Sequence, residues 1–413
     1  MLKSAPPIGW KKTALGHVAE VQTGIAKGKA INGAAVTLPY LRVANVQDGH
    51  VDLSVMKEIT LKPTEVDRYS LRKGDVLFTE GGDFDKLGRG TVWNGEIELC
   101  LHQNHVFAVR PSPDRLLPEF LAFQAASQYG RRYFQMCSKQ STNLASINST
   151  QLKQFPVLLP PLPEQRKIAE ILRTWDEAIE KAERSLIVTR VIRSAEIARA
   201  IFKENNRNTI ALGDLVGPVT SKVTDQRIPI LTISAESGFV EQHTYFSRRI
   251  ASESLHSYSI LERGEFAYNR SRANGYPCGA IKRLNILDRG AVTSLYFCFK
   301  SRSENPGIAD YLEVLFESGV LNPQLARIAK EGSRAHGLLN VGKEDFLNMT
   351  VHMPPQRTRA SIAAMHRHAV AEIAASVKRV ELLSKQKSGL MQKLLTGQIR
   401  VPEAAANLSP AAD

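Results

Sequence analysis

This 413-residue sequence has few long apolar runs, few cysteines and too few acids to balance its bases. No stretch approaches the roughly 20 consecutive apolar residues that cross a bilayer. The opening MLKSAPPIGWKK lacks the apolar core of a secretion signal. A cytoplasmic protein without a membrane partner is expected. The four cysteines, Cys100, Cys137, Cys278 and Cys298, stand singly with no CxxC pair, which argues against a disulfide framework or zinc site and fits a reducing compartment. Catalytic signatures are scarce as well. GGDFDKLGRG lacks the GxxxxGK[ST] spacing of a phosphate loop, and neither HExxH nor a Cys/His cluster is present. There is no Asn-Pro-Pro or Asp-Pro-Pro followed by an aromatic, and no Glu-x-Lys to complete a nuclease carboxylate set. Cys100, His102 and His105 lie together at an expected entry to a strand, where a structural role is favoured over a nucleophile or metal site. No catalytic residue, bound metal or cofactor is assigned. What is present in excess is positive charge: 54 Lys and Arg against 41 Asp and Glu give a net +13. Such a balance attracts polyanions, nucleic acid first among them.

The chain also repeats itself. Pro160-Pro161 superimposes on Pro354-Pro355, and TNLASINSTQLKQFPVLLPP then lies over HGLLNVGKEDFLNMTVHMPP. ALGHVAEV resembles ALGDLVGPV, LPYLRVANV resembles RIPILTISA, LRKGDVLF resembles LERGEFAY, and HVFAVR matches LYFCFK. The offset drifts between 190 and 197, as loop insertions would make it. In the first copy PYLRVANV, DVLFT and HVFAVRP are expected strands, GGDFDKLGRG and RPSPDR loops, and LPEFLAFQAASQYGRRYFQMC one helix. In the second, PILTISA, EFAYNRS and LYFCFKS are the strands and GIADYLEVLFESG a helix.

Two further segments have a different character. From Glu164 to Phe202 neither Pro nor Gly interrupts, and Ile168, Leu172, Trp175, Ile179, Ala182 and Leu186 keep the 4-3 spacing of a coiled-coil seam. The apolar pattern then shifts phase and resumes at Val188, Val191, Ala195, Ala198 and Phe202. The second segment offers Ile362, Met365, Ala369, Ile373, Val377, Val380, Leu383, Leu390 and Leu394. Helices of this length have no core beyond their seam, so each is the other's natural partner, packed antiparallel. The prolines before each helix stiffen its exit from the preceding globe. The expected fold is α+β: two mixed globes related by an internal repeat and separated by two long helices in an antiparallel coiled coil. The expected divisions are 1–155 and 206–350 for the globes, 156–205 and 351–402 for the elbows and helices, and 403–413 for a disordered tail.

LPPLPEQRKIAEILRTWDEAIEKAE closely resembles the central conserved region of the specificity subunit of type I restriction–modification systems. KSGLMQKLLTGQIRV resembles the end of that family's second conserved helix, and PPIGWKKTALGHVAEVQTG its usual opening. PPQRTRASIAAM departs from the usual PLPEQ-I-A at the second elbow. The resemblance implies a non-catalytic subunit whose two target-recognition domains each bind one half of a bipartite, asymmetric site on double-stranded DNA. The helices would set the spacer and dock two adenine-N6 methyltransferase subunits, which would bring S-adenosylmethionine. Restriction/translocase subunits, working with ATP and Mg2+, would join them. A coiled-coil scaffold with no preference for DNA is the alternative, and a free-standing nuclease or methyltransferase is disfavoured by the missing motifs.

Recognition domains differ between family members, so no contact residue carries over. Loops that mix cations with amides and hydroxyls are the candidates, because phosphates and base edges need those groups. In the first globe these are Asp83, Asp85, Lys86 and Arg89; His102, Gln103, Asn104 and His105; and Lys139, Gln140, Ser141, Thr142 and Asn143. In the second they are Asn269, Arg270, Arg272, Asn274 and Tyr276, then Lys282 and Arg283, then Lys330, Ser333, Arg334 and His336.

Overall fold

A computed structural model describes residues 6–27, 33–82, 87–88, 90–140, 145–203, 208–224, 227–234, 238–245, 255–273, 275–331 and 337–401. Its contacts divide the chain into two units, Met1–Glu183 with Lys378–Asp413, and Arg184–Val377. Each unit therefore holds one globe and a share of both long helices.

The duplication shows in the strand ladders. The first unit has a four-stranded antiparallel sheet in the order Ala19–Thr23, Val106–Pro111, Val76–Thr79, Gly90–Val92. The second has Val216–Pro218, Phe297–Ser301, Phe266–Asn269, Ala280–Arg283, in the same order and sense. In each unit a short strand near the start of the globe pairs with the strand before the proline elbow: Lys11–Ala14 with Pro156–Leu159, and Thr209–Ala211 with Thr350–His352. Side chains repeat too. Asp75 is 1% exposed and receives two hydrogen bonds from Arg110, at 2.8 and 2.7 Å. It also caps the turn by accepting from Arg72 N at 2.8 Å. At the matching place Glu265 accepts from Glu262 N at 2.9 Å and faces Lys300 at 4.0 Å. LRKGD and LERGE thus fold one turn twice, an acid holding the backbone while an opposite charge on the neighbouring strand neutralises it.

One helix expected over 117–137 is two, Pro118–Ala126 and Gln128–Cys137. Ser127 adopts an extended backbone and its hydroxyl accepts from Gly130 N, so the second helix starts on a new cap. Gly130 is required there: a Cβ would come within 2.2 Å of Ala125 O. Both helices bury aromatic side chains. Phe134 stacks on Phe155 at 5.2 Å, and the second unit places Phe266 on Phe299 at 5.4 Å.

The long helices run Leu162–Phe202 and Gln356–Leu395. Ile168 and Leu172 share the first unit's core with Leu394 and Leu395, and Ile197 and Ile201 share the second's with Ile362, Ala363 and Ala369. Asp176 pairs with Lys387, and Arg193 donates to Glu372 at 2.8 Å; both pairings are those of antiparallel helices. Trp175, Ile179, Leu186, Ile373 and Val380 are half-buried along the seam.

The shift of seam expected after Leu186 does not occur. Val188, Val191 and Phe202 are exposed, with Val191 64% accessible, and Ile187 and Ile192 lie open beside them. The buried side instead continues through Thr189 and Arg193 to Ile197 and Ile201. An uninterrupted helix turns by a fixed angle per residue, so neighbouring packing holds one register even where a polar residue meets it. Arg193 tolerates the position because it is only half-buried and its guanidinium reaches Glu372 and Glu196.

The first elbow is clasped at its helix. Glu164, in the positive first turn, is buried and accepts two hydrogen bonds from Arg400 at 2.8 and 2.9 Å and one from Trp10 Nε1 at 3.1 Å. Arg400 also donates to Ile8 O at 2.6 Å. Burial raises the carboxyl's pKa, but these donors outweigh it and hold the value below the ordinary 4.5. Gln165 secures the next turn, accepting from Leu117 N and donating to Arg115 O and Pro160 O at 2.8 to 2.9 Å.

Candidate nucleic-acid interface

In the first unit the fold gathers three separated candidate loops into one corner. Lys139–Gln140 pairs with Ala145–Ser146, which pairs with Gly81–Gly82. The strand of Gly81 follows Glu80, whose N–H donates to His105 O at 2.9 Å and whose carbonyl accepts from Ile147 N at 2.8 Å. Gly81–Gly82, Gln103–His105 and Lys139–Gln140 are therefore anchored side by side, although about 20 to 60 residues separate them in the chain. Gln103 and Asn104 are half-exposed, and the exposed His105 pairs with the Glu80 carboxylate. Asp83, Asp85, Lys86, Arg89, Ser141, Thr142 and Asn143 lie outside the described residues, as do the side chains of Lys139 and Gln140.

The second unit repeats the arrangement. Lys330–Glu331 pairs with Leu339–Asn340, and Ser271 bridges Leu338. Leu339 N donates to Arg270 O at 2.9 Å and Arg272 N to Gly337 O at 2.8 Å. NRSRANGY and KEGSRAHG thus meet as their counterparts do. Asn269 caps the turn, accepting from Ser271 N at 3.0 Å; Arg272 is exposed and Tyr276 half-buried. Asn274, Ser333, Arg334 and His336 lie outside the described residues, as does the side chain of Lys330.

A cleft of about 170 Å3 opens beside Arg270. Its walls include Tyr268, Phe297 and Phe346, which pack against one another with centroids 5.4 to 5.5 Å apart across the two contacts to Phe346. Lys222, Arg270 and Lys343 line it, with the hydroxyls of Thr220 and Ser294, and among the described residues no carboxylate does. Arg270 Nη2 donates to Leu295 O at 3.0 Å, while its Nε is buried without a hydrogen-bond partner.

Three sequence candidates are taken up by the fold itself. His102 is wholly buried; its Nδ1–H donates to Val106 O at 2.6 Å and burial lowers its pKa, so it is a neutral core residue. Lys282 is buried against Glu317 at 2.6 Å, and Arg283 is held by Asp310 at 2.7 Å and Glu313 at 3.2 Å. These corrections share one cause. Sequence shows residue type, but which segment packs against each side chain decides its partners: Val106 for His102, and the acids of the helix Pro306–Glu317 for Lys282 and Arg283. Burial drives the Cys100 thiol up to about 12, which leaves it a core residue and not a nucleophile. Among the described residues no group of three or more His, Cys, Asp or Glu is placed to hold a metal, and no helix is long and apolar enough to cross a membrane. The cleft with Lys222 and Lys343 is what sequence reasoning missed. Its cations come from segments more than 45 residues apart, with nothing in the sequence to link them.

The class defined by these observations is a duplicated α+β chain with a loop cluster on each globe and paired long helices. Residues 7–188 match the model for the type I restriction modification DNA specificity domain. Over 424 aligned residues the chain is 23% identical to a Methanocaldococcus jannaschii protein named as the MjaX type I restriction enzyme specificity subunit, covering 96% of this chain and 95% of that one. It is 32% identical over 182 residues to the StySPI specificity subunit of Salmonella potsdam, covering 42% of this chain and 38% of that protein. A solved chain of a type I R-M system aligns over 96% of this chain and all of that one, with TM-score 0.60 and 14% identity, a likeness of fold. Over residues 7–188, and at lower identity along nearly its whole length, this chain is thus similar to type I restriction–modification specificity subunits.

Proposed function

We propose that this chain is the DNA-recognition subunit of a type I restriction–modification complex, each globe binding one half of a bipartite asymmetric site. The observation that carries the reading is the paired loop clusters: in each unit a short strand pair, Lys139–Gln140 with Ala145–Ser146 or Lys330–Glu331 with Leu339–Asn340, meets the segment that follows a sheet strand, at Gly81–Gly82 or Ser271, with unrelated residues at the two places. Duplicated scaffolds carrying different loops suit two different half-sites, since backbone contacts position and side chains specify. The excess of positive charge supplies the attraction to phosphates.

The chain is a non-catalytic, cytoplasmic subunit in this reading. S-adenosylmethionine, and ATP with Mg2+, belong to its methyltransferase and restriction/translocase partners. Two methyltransferase subunits would dock on the long helices, and the exposed face of Ile187, Val188, Val191 and Ile192 is the candidate contact on the first. The helices would fix the spacer between the half-sites. Mapping methylated adenines genome-wide, with and without the gene, tests the function. A bipartite motif that vanishes with the gene is expected, and an unchanged methylome refutes it.

A further inference from the structure

We propose that the cleft bounded by Lys222, Arg270 and Lys343 grips a phosphodiester of the DNA bound by the second globe, and that the first globe lacks this grip. The proposal rests on the DNA-reading function above and names a contact within it. Three segments supply the cations: Lys222 follows the edge strand Val216–Pro218, Arg270 follows the strand Phe266–Asn269, and Lys343 opens the helix Lys343–Leu347. Elsewhere in this unit cations are matched by acids, as Lys282 is by Glu317 and Arg283 by Asp310. Here no carboxylate among the described residues lines the cleft; Glu344 and Asp345 follow Lys343 in sequence but stand outside it.

The three groups are held in place. Lys222 Nζ donates to Ser257 O at 3.2 Å and Ser259 Oγ at 3.1 Å, which uses two of its three hydrogens. The Lys343 ammonium lies 5.8 Å from the Phe297 ring centroid. Arg270 is tied to Leu295 O and keeps a buried N–H unanswered. Like charges that converge without an acid are stabilised by an anion, and the low-dielectric aromatic wall strengthens that attraction. A phosphate fits this chemistry: it carries charge and several acceptor oxygens, and Thr220 and Ser294 offer further donors. The strand ladders match Arg270 with Glu80 of the first unit, and the helix starts match Lys343 with Ser149. Two of the cations are thus replaced by a carboxylate and a hydroxyl, so the two globes differ in charge at matching positions.

The test uses the full chain with its methyltransferase. Inorganic phosphate is titrated and followed by 31P line broadening, for wild type and for the double variant Lys222→Met/Lys343→Met; DNA binding is measured by anisotropy across a salt series. Saturable phosphate binding is expected, weakened at least tenfold in the variant. The slope of log affinity against log salt should fall by about one unit. Thermal unfolding should be unchanged, and Arg270→Lys should keep the slope where Arg270→Gln lowers it. Absence of phosphate binding, or binding undiminished in the double variant, overturns the proposal and leaves the DNA-reading function standing. Lost phosphate binding with an unaltered DNA slope also overturns it, because the occupant would then be a small phosphate ligand. A wild-type complex that binds phosphate but no DNA defeats the reading function itself.

Discussion

Glu164 shows how one side chain can fasten a long helix. It receives Arg400 and Trp10 together, and its pKa is held below the ordinary value. A carboxyl whose folded pKa is depressed contributes stability that is complete above the unfolded value and disappears as pH falls through the folded one. Acidification from about pH 4.5 downward should therefore destabilise the wild type more than Glu164→Gln, in urea melts across a pH series. At neutral pH the variant should be less stable by about 1–3 kcal/mol, because Arg400 loses its charged partner. Equal stability of the two proteins at pH 7 would show that the clasp contributes nothing. Asp75 makes a sterner case. Being 1% exposed and paired twice to Arg110, it should cost about 2–4 kcal/mol when replaced by Ala, since a half-buried guanidinium is left without a counter-charge and the Arg72 N–H without its acceptor.

The long helices carry two apolar faces with opposite fates. Leu172 lies in a packed core, and Leu172→Ala should cost about 2–5 kcal/mol in chemical denaturation. Ile187 and Val191 are exposed, so Ile187→Asp with Val191→Asp should shift stability by no more than about 0.5 kcal/mol per site. If this face docks the methyltransferase, the same double variant should lose co-purification with that subunit. A stable variant that still captures it would remove the face from the interface. Sequence periodicity could not separate the two faces, because Val188 and Val191 continue an apolar spacing as well as Thr189 and Arg193 do a polar one. What separates them is the partner helix, which presents Glu372 to Arg193.

For the molecule as a whole, the proposed ruler makes a quantitative claim. Removing one heptad from the matched central parts of both helices shortens each by about 10 Å. The unspecified spacer should then contract by up to about three base pairs, with both half-sites unchanged. Methylation mapping of the shortened protein reads both quantities at once; altered half-sites with an intact spacer would defeat the ruler.

Much of this organisation is local in origin and so was determined by sequence alone. The duplicated acid turns, the proline elbows and the uninterrupted stretch from Glu164 to Phe202 depend on residues near one another in the chain. Pairing of loops is another matter. Gly81 meets Ser146, and Ser271 meets Leu338, through ladders whose register no short window encodes. The inward turn of His102 and Lys282, the unbroken seam at Thr189, and the meeting of Lys222, Arg270 and Lys343 were decided only by tertiary structure. Each depends on which distant segment packs against it, and residue type and spacing specify that only through the sum of all the other contacts.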